Sequence, residues 1–284
     1  MVPVTAYPAL FVLLWSTGFI GAKLGLPYAE PATFLVVRFA LVLLLLLPIC
    51  LLSGAPWPSR TGFAHMFVAG ALLQAGYLGG VFAAIYHGMP AGVSALITGL
   101  QPLSTALLGG WLLKEQVTSR QWVGLVLGLA GVLLVVGERI QASGMNALSI
   151  GLALLALLSI TLGTLWQKRH GAGVDLRTGA AIQYVAAALV LAPFALVLET
   201  RQVTWSEEFF FAVSWLAIVL SLGAVFLLLY LIRHGAATRV ASLFYLVPPT
   251  TALMAWPLFG ETYSFVSALG MGLAMLAVWL VTKP

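Results

Sequence analysis

"YLVPPTTALMAWPLFGE", residues 245–261, holds three prolines within an apolar run long enough to cross a bilayer, and it closes on a glutamate. A proline inside a helix costs about 3 kcal/mol, so the run predicts a broken membrane helix. "GLQPLSTALLGGWLLKE" (99–115) has the same build. Setting residues 91–135 over 237–281 gives about fourteen identities in roughly forty-five positions, about twice what shared apolar composition supplies. Pro102 falls on Pro248, Thr105-Ala106-Leu107 on Thr251-Ala252-Leu253, and Glu115 on Glu261. Upstream, Gly18 and Lys23 fall on Gly163 and Lys168, and "VFAAIY" (81–86) on "VFLLLY" (225–230). The chain divides into two related halves, residues 1–140 and 141–284.

The composition demands lipid as the solvent. Of the 284 residues 62% are hydrophobic and 7% charged, and the mean hydropathy is +1.07. The net charge of +5 would suggest nucleic acid in a water-soluble chain; here the basic residues fall in short loops, where they orient helices, and no nucleic-acid partner is implied. Cys50 is the single cysteine, so neither an intrachain disulfide nor a thiolate metal cluster is expected. No metal or other cofactor is expected. The first apolar run lacks a basic leader and carries Trp15 and Lys23, which argues against a removed signal peptide.

At about 20 apolar residues per crossing, ten spans fit: roughly 5–24, 32–52, 63–87, 90–112, 118–137, 147–168, 177–198, 208–232, 236–259 and 263–282. Period-two alternation is absent, so the expected class is an all-α integral membrane protein. Alternate loops collect Arg60, Lys114, Arg120, Lys168, Arg169, Arg177, Arg233, Arg239 and Lys283, which predicts that both termini are cytoplasmic. A five-helix unit repeated once must then be inverted, an architecture of secondary transporters whose substrate site lies at the repeat interface.

The segments "LLWSTGFIGAKLGL" (13–26), "VVRFALVLLLLLP" (36–48) and "GVSALITGLQPLSTALLGGWLLKEQVTSRQWVGLVLGLAGVLLVV" (92–136), with the second copy of the last, resemble the drug/metabolite transporter superfamily, in its ten-helix branch of two EamA-type repeats. The resemblance covers the whole chain and is nearest to the bacterial inner-membrane aromatic amino-acid exporters. It implies a monomeric, multi-pass protein of the cytoplasmic membrane, in contact with lipid. Such a protein exports amphipathic small molecules, aromatic amino acids first, by alternating access through a central cavity.

Pro102 and Pro248 are expected to kink the fourth and ninth spans near mid-depth, either as cavity-lining hinges or as static bends packed by neighbours. Ser94, Thr98, Gln101 and Thr105 share one helix face; their counterparts are Val240, Phe244, Val247 and Thr251. One polar wall and one apolar wall suit an amphipathic solute, although such polar residues also join helices. Gln74 and Tyr77 on the third span, Ser221 on the eighth, Trp15 and Ser16 on the first, Ser159 and Thr161 on the sixth, and Phe244 with Tyr245 on the ninth complete the candidate substrate-binding set.

Among intramembrane cations, Arg38 is the candidate for binding a substrate carboxylate; Lys23, Arg38 and Lys168 all lie near enough to an interface to snorkel. Glu115 and Glu261 are expected to cap the helices that follow them. All eight acids fall in loops or at span ends, which disfavours the glutamate-based proton coupling of small multidrug relatives and leaves a proton-coupled metabolite or drug exporter as the alternative. An intramembrane enzyme is disfavoured: the four histidines lie near span ends, and Asp175 is the only aspartate. No GxxxxGK[ST] loop is present for ATP-driven work.

Overall fold

A computed structural model describes residues 7–105, 108, 119–142, 145–224, 227 and 243–282. Glu115 lies outside these residues, as does the side chain of Tyr245. The described chain is helical, with an isolated antiparallel bridge between Ala29 and Val203. Its elements are α1 (Tyr7–Gly25), α2 (Pro31–Leu52), α3 (Arg60–Tyr86), α4 (Ala91–Thr98), α5 (Ser119–Ala142), α6 (Ala147–His170), α7 (Leu176–Leu198), α8 (Glu207–Ala224), α9 (Val247–Phe259) and α10 (Phe265–Thr282). Six of them, α1, α2, α3, α6, α7 and α8, are long and apolar enough to cross a membrane; shorter apolar stretches occupy α5 and α10.

Helix boundaries follow local chemistry. Pro31 opens α2, where its missing N–H costs nothing. The Glu199 carboxylate, at the end of α7, accepts from the Ala32 and Thr33 amides at 2.7 Å each. Asn146 and Ser149 form a reciprocal capping box at the start of α6. Ser206 caps α8, whose first turn carries Glu207 and Glu208 toward the positive end of the helix dipole. Gly260 ends α9 at φ 65°, a conformation that L side chains seldom adopt.

Packing is most extensive between α5 and α10, where a Cβ added to Gly131 would meet the Gly270 carbonyl oxygen at 2.5 Å. Without side chains there, the two backbones touch, as small residues allow in lipid. α2 packs on α7, α3 on α6 and α7, α4 on α9, and α1 on α8 and α9. Phe34, Phe39, Phe82 and Phe209 fill the interior, whereas Leu44, Leu51, Val197, Leu198 and Leu253 are exposed. Such an apolar exterior belongs against acyl chains.

Two backbone features were not legible in the sequence. α3 contains a π-helical turn at Ala71–Gly76, and α8 runs as π-helix over Trp215–Ala224. In the register that sets "VFAAIY" on "VFLLLY", Ala71 falls on Trp215, so both start at matching positions. The second concerns Pro102 and Pro248, which do not sit inside continuous helices. α4 stops at Thr98, a turn occupies 99–100, and helix resumes at 101 with Pro102 in its first turn. On the other side a 3-10 turn, Phe244–Leu246, precedes α9, and Pro248 and Pro249 stand in the first turn. The expected kinks are restarts, in which the ring occupies a position whose N–H has no intrahelical partner.

Candidate functional site

The broken helices meet. A Cβ on Gly99, at the break after α4, would come within 3.1 Å of the Pro248 ring and 2.9 Å of the Ala95 carbonyl oxygen, so glycine there permits the approach. Beside this contact Leu96, Leu100, Phe244, Met275 and Val278 line a small apolar crevice. Trp15 and Phe11 of α1 each stand edge-on to Phe244, with ring centroids 5.3 Å apart. Ser16, fully buried, donates to the Val12 carbonyl at 2.8 Å and more weakly to that of Val247 at 3.4 Å. Trp15, Ser16 and Phe244 are thus brought together around the restart of α9.

The polar face of the fourth span divides in two. Thr98 turns its hydroxyl back to the Ser94 carbonyl at 2.8 Å, and Thr161 does the same toward Leu157 at 2.6 Å; both are occupied by their own helix. Gln101 reaches across, its Nε2 donating to Thr105 at 3.3 Å and to Thr164 of α6 at 3.2 Å. The hydroxyls of Ser94 and of Thr251 on α9 are buried without a hydrogen-bond partner. Ser159 packs on Gly76, where a Cβ would come within 2.6 Å of its hydroxyl. Gln74 is half-buried on the π-helical turn of α3.

Arg38 does not snorkel. The residue is 3% exposed, and its Nη2 donates to Ser221 of α8 at 2.9 Å. Tyr77 of α3 and Tyr184 of α7 are close enough to interact with the guanidinium electrostatically. Tyr184 escaped the sequence reading because a lone aromatic in an apolar span carries no mark of its neighbours.

Glu261 overturns another expectation. Instead of capping the following helix, it is 7% exposed, pairs with Lys23 at the end of α1, accepts from the Ala91 amide at the start of α4 at 3.0 Å, and accepts from the Tyr263 hydroxyl at 2.6 Å. Ser264 caps α10, accepting from Val266 at 3.0 Å and Ser267 at 3.3 Å. The reason is geometric: α1 and α9 end beside the start of α4, and its unpaired amides attract a carboxylate. Burial alone would raise the Glu261 pKa; Lys23, Tyr263 and the Ala91 amide outweigh it and hold it below the ordinary 4.5. Lys23 is therefore engaged and also lies over the Phe259 ring at 4.8 Å, whereas Lys168 is exposed.

Trp166 bridges two helices: its Nε1 donates to the His65 carbonyl at 3.1 Å, and the His65 and His170 rings stack 4.1 Å apart.

Known proteins share this design. The sequence profile described as the EamA-like transporter family matches residues 6–137 and 147–283. The "Uncharacterized inner membrane transporter YedA" of Escherichia coli (strain K12) is 30% identical over 280 residues, spanning 97% of this chain and 90% of that protein. A "Probable amino-acid metabolite efflux pump" of Salmonella typhimurium is 24% identical, spanning 95% and 92%. A solved crystal structure, 20% identical and covering 97% of this chain and 95% of its own, superposes with a TM-score of 0.65, which supports the fold. With the profile matched over nearly the whole length, and a 30% identical transporter covered over 90% of its own length, the chain belongs to the EamA-like transporter family.

Proposed function

We propose that the protein is a secondary transporter of the cytoplasmic membrane that exports amphipathic metabolites, aromatic amino acids foremost, by alternating access. In this reading the chain forms ten transmembrane helices as two inverted five-helix halves, residues 1–140 and 141–284, with both termini cytoplasmic, and it works as a monomer. The observation that carries the reading is the meeting of two broken helices at Gly99 and Pro248, since paired interrupted helices mark transporter substrate sites. Around that meeting lie an apolar aromatic wall, Trp15 with Phe244, and polar groups, Gln101, Ser94 and Thr251. Such a pairing suits a solute with a polar head and a bulky apolar side chain. The efflux-pump name borne by the Salmonella relative supports the substrate class.

The described carboxylates, Glu30, Asp175, Glu199, Glu207, Glu208 and Glu261, lie at helix ends or in loops, which supports movement down a gradient over proton coupling. The test is counterflow in proteoliposomes containing only the purified protein, with labelled tryptophan, phenylalanine, threonine and a cationic dye, with and without a pH gradient. Saturable tryptophan or phenylalanine exchange that ignores the gradient is expected. Dye movement that requires the gradient, without amino-acid exchange, refutes both substrate and coupling.

A further inference from the structure

Arg38 is the eighth residue of α2, roughly 11 Å along a helix rising about 1.5 Å per residue, and so well inside a hydrocarbon layer about 30 Å thick. A buried guanidinium has five N–H donors to satisfy, and leaving them bare costs several kcal/mol. Here one contact is made, Nη2 to Ser221, while Nε and Nη1 have no hydrogen-bond partner. The ion pairs among the described residues, Lys23–Glu261 and Arg177–Asp175, are both at helix ends and do not involve Arg38. A fold seldom retains such a cation unless something anionic meets it.

The internal match sharpens the point. Pro48 of α2 falls on Pro193 of α7 in the register that sets Arg38-Phe39 on Gln183-Tyr184, and Tyr77 falls on Ser221. Gln183 is satisfied: its Nε2 donates to Gln167 at 3.0 Å. The two halves thus supply one unsatisfied cation and a neutral counterpart, and around that cation they place three hydroxyls, from Tyr77, Tyr184 and Ser221. Tyr77 directly follows the π-helical turn of α3, and Ser221 sits within that of α8, donating to the Leu216 carbonyl at 3.0 Å. π-Turns shift the side chains after them around the helix, and they recur at functional sites.

We propose that Arg38 is the anion anchor of the transport site. The carboxylate of the solute takes a pair of parallel N–H groups, the free Nε or Nη1 together with the second N–H of Nη2, and the hydroxyls of Tyr77 and Tyr184 offer further donors, so the protein carries solutes bearing one carboxylate and rejects the corresponding amines and esters. This rests on the transport reading above and narrows it to one chemical class. Planar two-pronged recognition is what guanidinium does and ammonium does not.

The experiment uses the full-length protein in detergent and in proteoliposomes, with wild type, Arg38→Gln and Arg38→Lys. Ligand-induced thermal stabilisation is read with tryptophan and indole-3-propionate, which carry the carboxylate, and with tryptophan methyl ester and tryptamine, which do not; the same four compete in tryptophan counterflow. The acids are expected to stabilise wild type and to compete at least tenfold better than the ester and the amine. Arg38→Gln should raise the tryptophan KM more than tenfold without changing the weak response to tryptamine, and Arg38→Lys should fall between. Equal competition by ester and acid in wild type overturns the proposal even if Arg38→Gln fails to fold. Normal tryptophan exchange by a folded Arg38→Gln protein overturns it while leaving the transport reading intact. Indole-3-propionate stabilisation that depends on Arg38, without exchange of any amino acid, sinks the amino-acid reading and keeps the anchor. Absence of any carboxylate-dependent response in either assay sinks the anchor.

Discussion

Replacing Glu261 removes the contact at which three helices end or begin. In the native protein its carboxylate holds Lys23, the Ala91 amide and the Tyr263 hydroxyl. Glu261→Gln preserves shape and removes charge, and a hydrogen bond to a charged group exceeds a neutral one by about 1 kcal/mol. Over three such contacts the loss is about 2–3 kcal/mol. Lys23 is 28% exposed, so water screens its share and the lower figure applies to the ion pair itself. Glu261→Ala further leaves an amide in the first turn of α4 unpaired, for about 3–4 kcal/mol in all. At about 2–3 °C per kcal/mol for a chain of this size, the apparent Tm should fall by roughly 5 °C for the amide and 8–10 °C for alanine. The assay is thermal unfolding of purified protein in detergent, combined with Lys23→Met in a double-mutant cycle, where a coupling of about 1 kcal/mol is expected. Because the Glu261 pKa lies below 4.5 in the folded protein, its contribution is complete above that value and is lost as the pH falls through the lower, folded one. The native-minus-Glu261→Gln difference in Tm should therefore be flat at neutral pH and shrink only in acid. A Glu261→Gln protein as stable as native, with zero coupling to Lys23, would falsify the arrangement.

Three other outcomes are expected. Gln101→Ala should cut tryptophan counterflow more than tenfold, whereas Leu253→Ala, at a residue 68% exposed on the lipid side of α9, should leave it unchanged; equal effects refute the placement of Gln101 on the path. Gly131→Val inserts a Cβ 2.5 Å from the Gly270 carbonyl oxygen and should lower the apparent Tm by several degrees, since overpacking typically costs about 1–3 kcal/mol, while Gly137→Ala, in open space, should not. Trp166→Phe loses the bond to the His65 carbonyl, for about 1 kcal/mol; an unchanged melting curve removes that bond from the energetics of the α3–α6 contact.

Much of the fold was legible because it is written locally. Apolar runs, N-cap residues and helix-breaking prolines act within one or two turns, so α1, α2, α6 and α7 were readable from composition and spacing alone. The prolines announce an interruption in each helix, but a ring at the first turn of a restarted helix and a ring inside a bent one look identical in sequence until the stop at Thr98 is known. π-Turns carry no sequence period at all. The Glu261–Lys23 contact spans 238 residues, beyond any local rule, yet a trace of it was present. Lys23 recurs as Lys168 and Glu261 recurs as Glu115, so the two members of the pair were copied together.

On the transport reading proposed above, that distinction between copied and uncopied residues separates scaffold from site. Pro48 with Pro193, Pro102 with Pro248, and Lys23 and Glu261 with their counterparts are shared by both halves; Pro48 and Pro193 lie inside α2 and α7, Pro102 and Pro248 stand where helices restart, and Lys23 and Glu261 tie helix ends together. Among the pairs that differ are Arg38 with Gln183, Tyr77 with Ser221, Gln101 with Val247, and Thr98 with Phe244. Scaffold contacts can be identical in both halves, because each half must solve the same packing problem. A solute with one charged head and one apolar side chain has no such symmetry, and a pocket built from two identical walls would bind it in two opposed orientations with equal energy. Breaking that degeneracy requires different groups at matched positions. In the proposed transport site, the cation whose counterpart is a satisfied glutamine, and the phenylalanine whose counterpart is a threonine, occupy matched positions where the duplication departs from itself, as one preferred orientation of the solute requires.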